Sequence, residues 1–123
     1  MRQDGSWEVL KRQDEADELR VMAMREMDDG SLQVEERTDG ELTFLTYGAL
    51  TCVRSVTIAG DALEAAAWAL GPEGRDAQAA VRAFFSGQAR FLSDLQDVLD
   101  AGAVSYAYQV SCGNDYVLRR YAE

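Results

Sequence analysis

Residues 18–40 read ELRVMAMREM-DDG-SLQVEERT-DG, and this stretch decides the fold. Glu18–Met27 places Leu19, Val21, Ala23 and Met27 on one side of an extended chain and Met22 and Met24 on the other. Side chains alternate faces along a strand, so a strand apolar on both sides belongs inside a sheet or under partial cover on both faces. Asp28-Asp29-Gly30 follows. Asp-Gly between two apolar runs is a hairpin signal, because the turn needs a positive φ that glycine accepts without strain. Ser31–Thr38 then alternates, with Leu32 and Val34 predicted inward and Gln33, Glu35 and Arg37 outward. Asp39-Gly40 reads as a second turn of the same kind.

Working outward, Ser6–Gln13 is a further strand with Trp7, Val9 and Lys11 on one face, joined by the charged loop Asp14–Glu18. On the other side, Glu41–Tyr47 (ELTFLTY) and Ala49–Ile58 (ALTCVRSVTI) are rich in Thr, Val, Phe and Tyr, the composition of strands, with a turn or bulge at Gly48. The period changes at Gly60. Leu63, Ala66, Ala67 and Leu70 recur at helical spacing, with Asp61 as N-cap and Gly71-Pro72 as the stop. Val81, Phe84, Phe85, Leu92, Leu95 and Leu99 continue a helical stripe. Ser86-Gly87 interrupts it, which predicts either a kink or two helices, Asp76–Phe85 and Gln88–Ala101, since glycine inside a helix costs about 1 kcal/mol against alanine. Val104–Ser111 returns as a strand. Gly113-Asn114-Asp115 is a turn, and Tyr116–Tyr121 is a candidate short strand. The expectation is one α+β domain over residues 1–123. An antiparallel β-meander of four to five strands comes first, then two or three helices and a C-terminal strand, with the helices on one face of the sheet.

Composition narrows function by exclusion. The chain has 123 residues, a net charge of −10 and no histidine. Without histidine, neither a histidine-based triad nor a histidine zinc site can be built from this chain. Lys11 is its one lysine, beside eleven arginines, and it lies in a charged stretch rather than an apolar one that would activate it. Gly71-Pro72-Glu73-Gly74 lacks the Lys and Ser/Thr of a phosphate loop. No apolar run reaches the roughly 20 residues of a membrane span, and the N-terminus has no secretory pattern, so the expected location is cytoplasmic. There Cys52 and Cys112 read as two buried free thiols, with a disulfide or redox pair as the alternative. Direct nucleic-acid binding is disfavoured by charge, no cofactor is indicated, and the favoured partner is a basic protein.

The negative charge is uneven. Residues 1–40 hold twelve acidic and six basic side chains, whereas residues 41–60 hold one of each. The acids gather in turns, at Asp14, Glu15, Asp17 and Glu18 and again at Asp28 and Asp29. A second set, Asp94, Asp97 and Asp100, recurs at helical spacing. Its like charges oppose one another, and Asp100 opposes the helix dipole. These nine residues are the candidate binding surface. Solvated turns and a solvated helix face are the plain alternative. Met22, Met24 and Met27 read as core filling. Tyr106, Tyr108, Tyr116 and Tyr121 read as packing or an edge contact. Two other functions remain open: a carboxylate-metal or small-ligand domain using Asp28 and Asp29, and a dimeric domain pairing through an exposed edge strand, so the chain is either monomer or homodimer.

Three features carry a resemblance. ELTFLTYG…VTIAGDALEAAAWALG runs strands into a short helix ending in glycine. FLSDLQDVLDAGAVSYAYQ runs a helix straight into an aromatic strand. Arginine is used over lysine. In these the chain resembles small uncharacterised acidic α+β proteins of high-GC actinobacteria. The resemblance implies the fold and carries no activity or site residue. The function expected from the residues is therefore a non-enzymatic acidic protein-binding module. Inhibitors, immunity proteins and nucleic-acid mimics are of that type.

Overall fold

The computed structural model describes residues 5–15, 18–71, 76–86 and 90–113. Its centre is the stretch read above. Strand β1 (Glu8–Glu15), β2 (Glu18–Glu26), β3 (Leu32–Gly40), β4 (Thr51–Ile58) and β5 (Ala107–Gly113) form one sheet in the order β1-β2-β3-β4-β5. Every neighbouring pair is antiparallel. Gly30 takes φ +87° in the β2–β3 turn, which is what the Asp-Gly signal requires. Asp29 completes that turn by accepting bonds from the Ser31 N–H (2.9 Å) and hydroxyl (2.6 Å).

Three helices follow β4: α2 (Leu63–Leu70), α3 (Ala77–Phe85) and α4 (Leu92–Ala101), the numbering leaving α1 for a helix between β3 and β4. Their inward faces meet the even-numbered positions of the strands. Met22, Met24, Leu32, Val34, Val56 and Ile58 pack there against Ala66, Ala67, Val81, Phe85, Leu92, Leu95 and Leu99 in one core. The predicted stripe is buried along its whole length, and it is divided as expected: α3 ends at Phe85 and α4 begins at Leu92. Asp76 caps α3, its carboxylate accepting from the Ala79 N–H at 2.9 Å. On the opposite face Leu19, Val21 and Ala23 form a smaller cluster with Trp7. Strand β2 is thus apolar on both faces because both are covered. No helix among the described residues is long and apolar enough to cross a membrane.

Several segments differ from the sequence reading. Glu41–Tyr47 is not a strand but helix α1. The Glu18 carboxylate reaches across from β2 and accepts from both the N–H (3.1 Å) and the hydroxyl of Thr43, anchoring the first turn. Gly48, at φ +74°, closes the last turn by donating to the Phe44 carbonyl, so it ends a helix rather than a hairpin. Tertiary anchoring here overrides the β-preference of Thr, Phe and Tyr. Glu35 and Arg37 are not solvated: each is under 5% exposed. Asp61 does not cap α2. It lies in a 3₁₀ turn (Gly60–Ala62) that enters the helix without a side-chain cap. Cys52 and Cys112 are directly opposite in the β4–β5 ladder and joined by a disulfide, so they are not free thiols. The final strand begins at Ala107 rather than Val104. Helix α4 begins at Leu92 rather than Gln88, with Arg90 and Phe91 preceding it outside the helix. The Pro72 stop, the Asn114-Asp115 turn and the Tyr116–Tyr121 strand lie outside the described residues.

Candidate functional site

The acidic residues singled out from sequence do not form one surface. Asp14 and Glu18 stand at the β1–β2 hairpin, whereas Asp28 and Asp29 occupy the β2–β3 turn. Nine residues of β2 separate these ends, about 25 Å of extended chain. Glu18 holds the start of α1. Asp14 lies 3.8 Å from Arg12. Asp17 and the Glu15 side chain are outside the described residues. Asp29 is engaged with Ser31, whose two hydrogen bonds hold its carboxyl below the usual carboxylate range. On α4, Asp94 accepts from the Phe91 N–H at 2.7 Å and so serves the helix N-terminus. Asp100 accepts from the Tyr106 hydroxyl at 2.9 Å. Burial and this bond raise the Tyr106 pKa. Asp97 is exposed. No group of three His, Cys, Asp or Glu among the described residues is placed to hold a metal ion.

The positive charges of the described residues are engaged within the chain. Arg54 meets Glu36 at 2.5 Å, Arg37 meets Asp39 at 3.0 Å, and Arg82 makes a two-pronged contact with Glu8 at 2.6 and 2.9 Å. Lys11 and Arg20 lie over the Phe91 ring, Arg25 over Trp7, and Arg90 over Phe84. With Arg12, this includes every Lys and Arg among the described residues. The negative surplus is therefore left to the surface.

One cleft collects it. It lies where the β2–β3 turn meets α2 and the start of α3, and has a volume of about 720 Å³. Leu32, Ala67 and Ala77, all buried, and the half-buried Leu63 form its apolar floor. Glu26, Glu64 and Asp76 stand around it, and no Lys or Arg is among its described lining residues. Trp68 stands at its edge with 56% of its surface exposed, a large value for tryptophan. Glu64 and Trp68 are four residues apart on α2, hence on one face of the helix. Carboxylates beside an exposed indole are the chemistry that receives an organic cation: the ring face and the acids both attract it, and a guanidinium or ammonium brings the missing counter-charge. A larger cleft of about 820 Å³ between β1 and α3 contains both Glu8 and Arg82, already paired with each other. It offers no comparable surplus.

Of the cleft residues, none is among the nine singled out from sequence, although the turn carrying Asp28 and Asp29 forms one wall. A signal was present. Trp68 falls off the Leu63, Ala66, Ala67, Leu70 stripe, and an aromatic on the polar side of a helix next to an acid is out of place for core packing. No family model, curated protein or solved structure matches this chain.

Proposed function

We propose that this chain is a non-enzymatic acidic protein-binding module that docks a basic partner, with the cleft beside Trp68 as its contact surface. The observation that carries the reading is the cleft itself, which joins three carboxylates to an exposed indole with no Lys or Arg among its described lining residues. The engagement of the described arginines elsewhere supports it, since none of them competes for the site. An Arg or Lys side chain of the partner enters the cleft, its stem against Leu32 and Leu63 and its charged head toward the acids. Inhibitors, immunity proteins and nucleic-acid mimics act through surfaces of this type. That likeness is one of physical character only.

Calorimetric titration with an arginine-rich peptide tests the reading. A chain of net charge −10 attracts any such peptide at low salt, so the comparison is between variants of equal charge change. Glu26→Gln/Glu64→Gln, and Trp68→Ala alone, are expected to weaken binding about tenfold. Loss of one well-placed cation–ring or charge contact is worth on the order of 1–2 kcal/mol. Asp14→Asn/Asp97→Asn is expected to weaken it about twofold. Equal losses in the two double variants sink the cleft as the site, and a larger loss in Asp97→Asn/Asp100→Asn than in the cleft pair moves the contact to α4.

A further inference from the structure

The sheet has two edges, and they are built differently. Strand β1 shows the usual protection against pairing with another chain. Its register shifts between Val9 and Lys11, and it carries Glu8, Lys11, Arg12, Asp14 and Glu15. Strand β5 shows none of it. Its sequence, AYQVSCG, has no Lys, Arg, Asp, Glu or Pro, and its seven pairs with β4 run without a shift. All seven residues are exposed, and no described strand lies on its outer side. A regular, uncharged edge with no described strand beyond it is a template for another strand.

The surface beside it is also apolar and neutral. Tyr108 and Val110 of β5 are 42% and 50% exposed, and α1 with the turn after it presents Leu42, Phe44, Leu45, Tyr47 and Leu50. The two parts meet along β4, since α1 packs against β3 and β4 and β5 pairs with β4, Val110 standing opposite Arg54.

We infer that a second copy of this chain docks here, β5 against β5 in antiparallel register, giving a continuous ten-stranded sheet. Charge selects that occupant. Two chains of net charge −10 repel wherever their acids meet, and residues 41–60, with one acid and one base, together with β5 form a surface they can share without such contacts. A basic partner finds no concentration of acids here, unlike at the Trp68 cleft. An antiparallel edge is also self-complementary, so a two-fold axis through the middle of β5 satisfies both copies with the same groups. The inference does not depend on what the cleft binds.

Sedimentation of the full chain across a hundredfold concentration range tests it. The expected result is a dimer whose dissociation constant rises at least tenfold in Val110→Lys, a charge placed on the edge strand, with the far-ultraviolet spectrum unchanged. Should that variant not fold, hydrogen exchange on the unaltered protein decides: β5 amides must gain protection as concentration rises. A monomer at every concentration overturns the inference, as do a dimer indifferent to folded Val110→Lys and β5 amides whose protection ignores concentration. A chain that dimerises only after removal of residues 114–123 overturns it too, by showing that its own tail occupies the edge.

Discussion

Glu35 and Glu36 are neighbours in β3, each 2–3% exposed, and they face opposite sides of the sheet. On the helix side, Glu36 joins three elements: one carboxylate oxygen takes the Arg54 guanidinium of β4, and the other takes the Leu92 N–H at the start of α4 at 3.2 Å. On the other side, Glu35 lies in a polar groove of about 440 Å³ with Arg37, Ser55, Gln109 and Ser111. The first carboxylate is a junction inside an apolar core. The second belongs to a layer of polar side chains borne by neighbouring strands. Burial alone therefore does not say what a charge is for; the elements it connects do.

The comparison has consequences of different size. Glu36→Ala leaves Arg54 half-buried without its carboxylate and an N-terminal amide of α4 without its acceptor. The expected cost is about 3–5 kcal/mol in chemical denaturation, since breaking a buried pair strands the remaining charge. A loss under 1 kcal/mol would show that Glu36 is no junction. Glu35→Gln keeps the shape, removes the charge and still hydrogen-bonds, among the polar side chains of neighbouring strands. Its expected cost is smaller, about 1–2 kcal/mol by the same measurement. If Glu35→Gln costs as much as Glu36→Ala, the two faces are equivalent after all. The smallest effect belongs to the exposed Glu8–Arg82 pair, which serves as the baseline. The bond from Arg82 holds the Glu8 pKa below its ordinary value. A depressed folded-state pKa gives stability that is complete above the unfolded value, near 4.3, and lost as pH falls through the folded one. Glu8→Gln is therefore expected to fall slightly below the parent at pH 7 and to close that gap as pH falls below the unfolded value, in paired thermal melts.

How far the sequence could be read depended on range. The Asp28-Asp29-Gly30 turn was legible because its cause is local: one glycine supplies one positive φ. The Val81–Leu99 stripe was legible because helical spacing and burial coincide there. ELTFLTY was misread because what makes it a helix is Glu18, more than twenty residues away, gripping Thr43. Glu35 and Arg37 were misread because alternation distinguishes faces but not whether the second face meets water. The disulfide depends on a register that matches Cys52 to Cys112 only after three helices have intervened. The Trp68 cleft draws its acids from β2, α2 and α3, and no spacing in one dimension shows that they converge. The acids that did stand out by spacing are largely engaged in local turns and helix ends.

The Cys52–Cys112 bond encloses nearly all of β4, all of α2, α3 and α4, and nearly all of β5 in one covalent ring. The cleft floor residues Leu63, Ala67 and Ala77 lie on the ring, while Leu32 and Glu26 lie on the open chain before it. A backbone cut between residues 53 and 111 leaves every fragment attached until the sulfurs are reduced, whereas a cut before Cys52 frees a piece at once. The helical layer and the first three strands thus differ in topology as well as in composition. The acidic cleft sits on the seam between a closed loop and a linear arm.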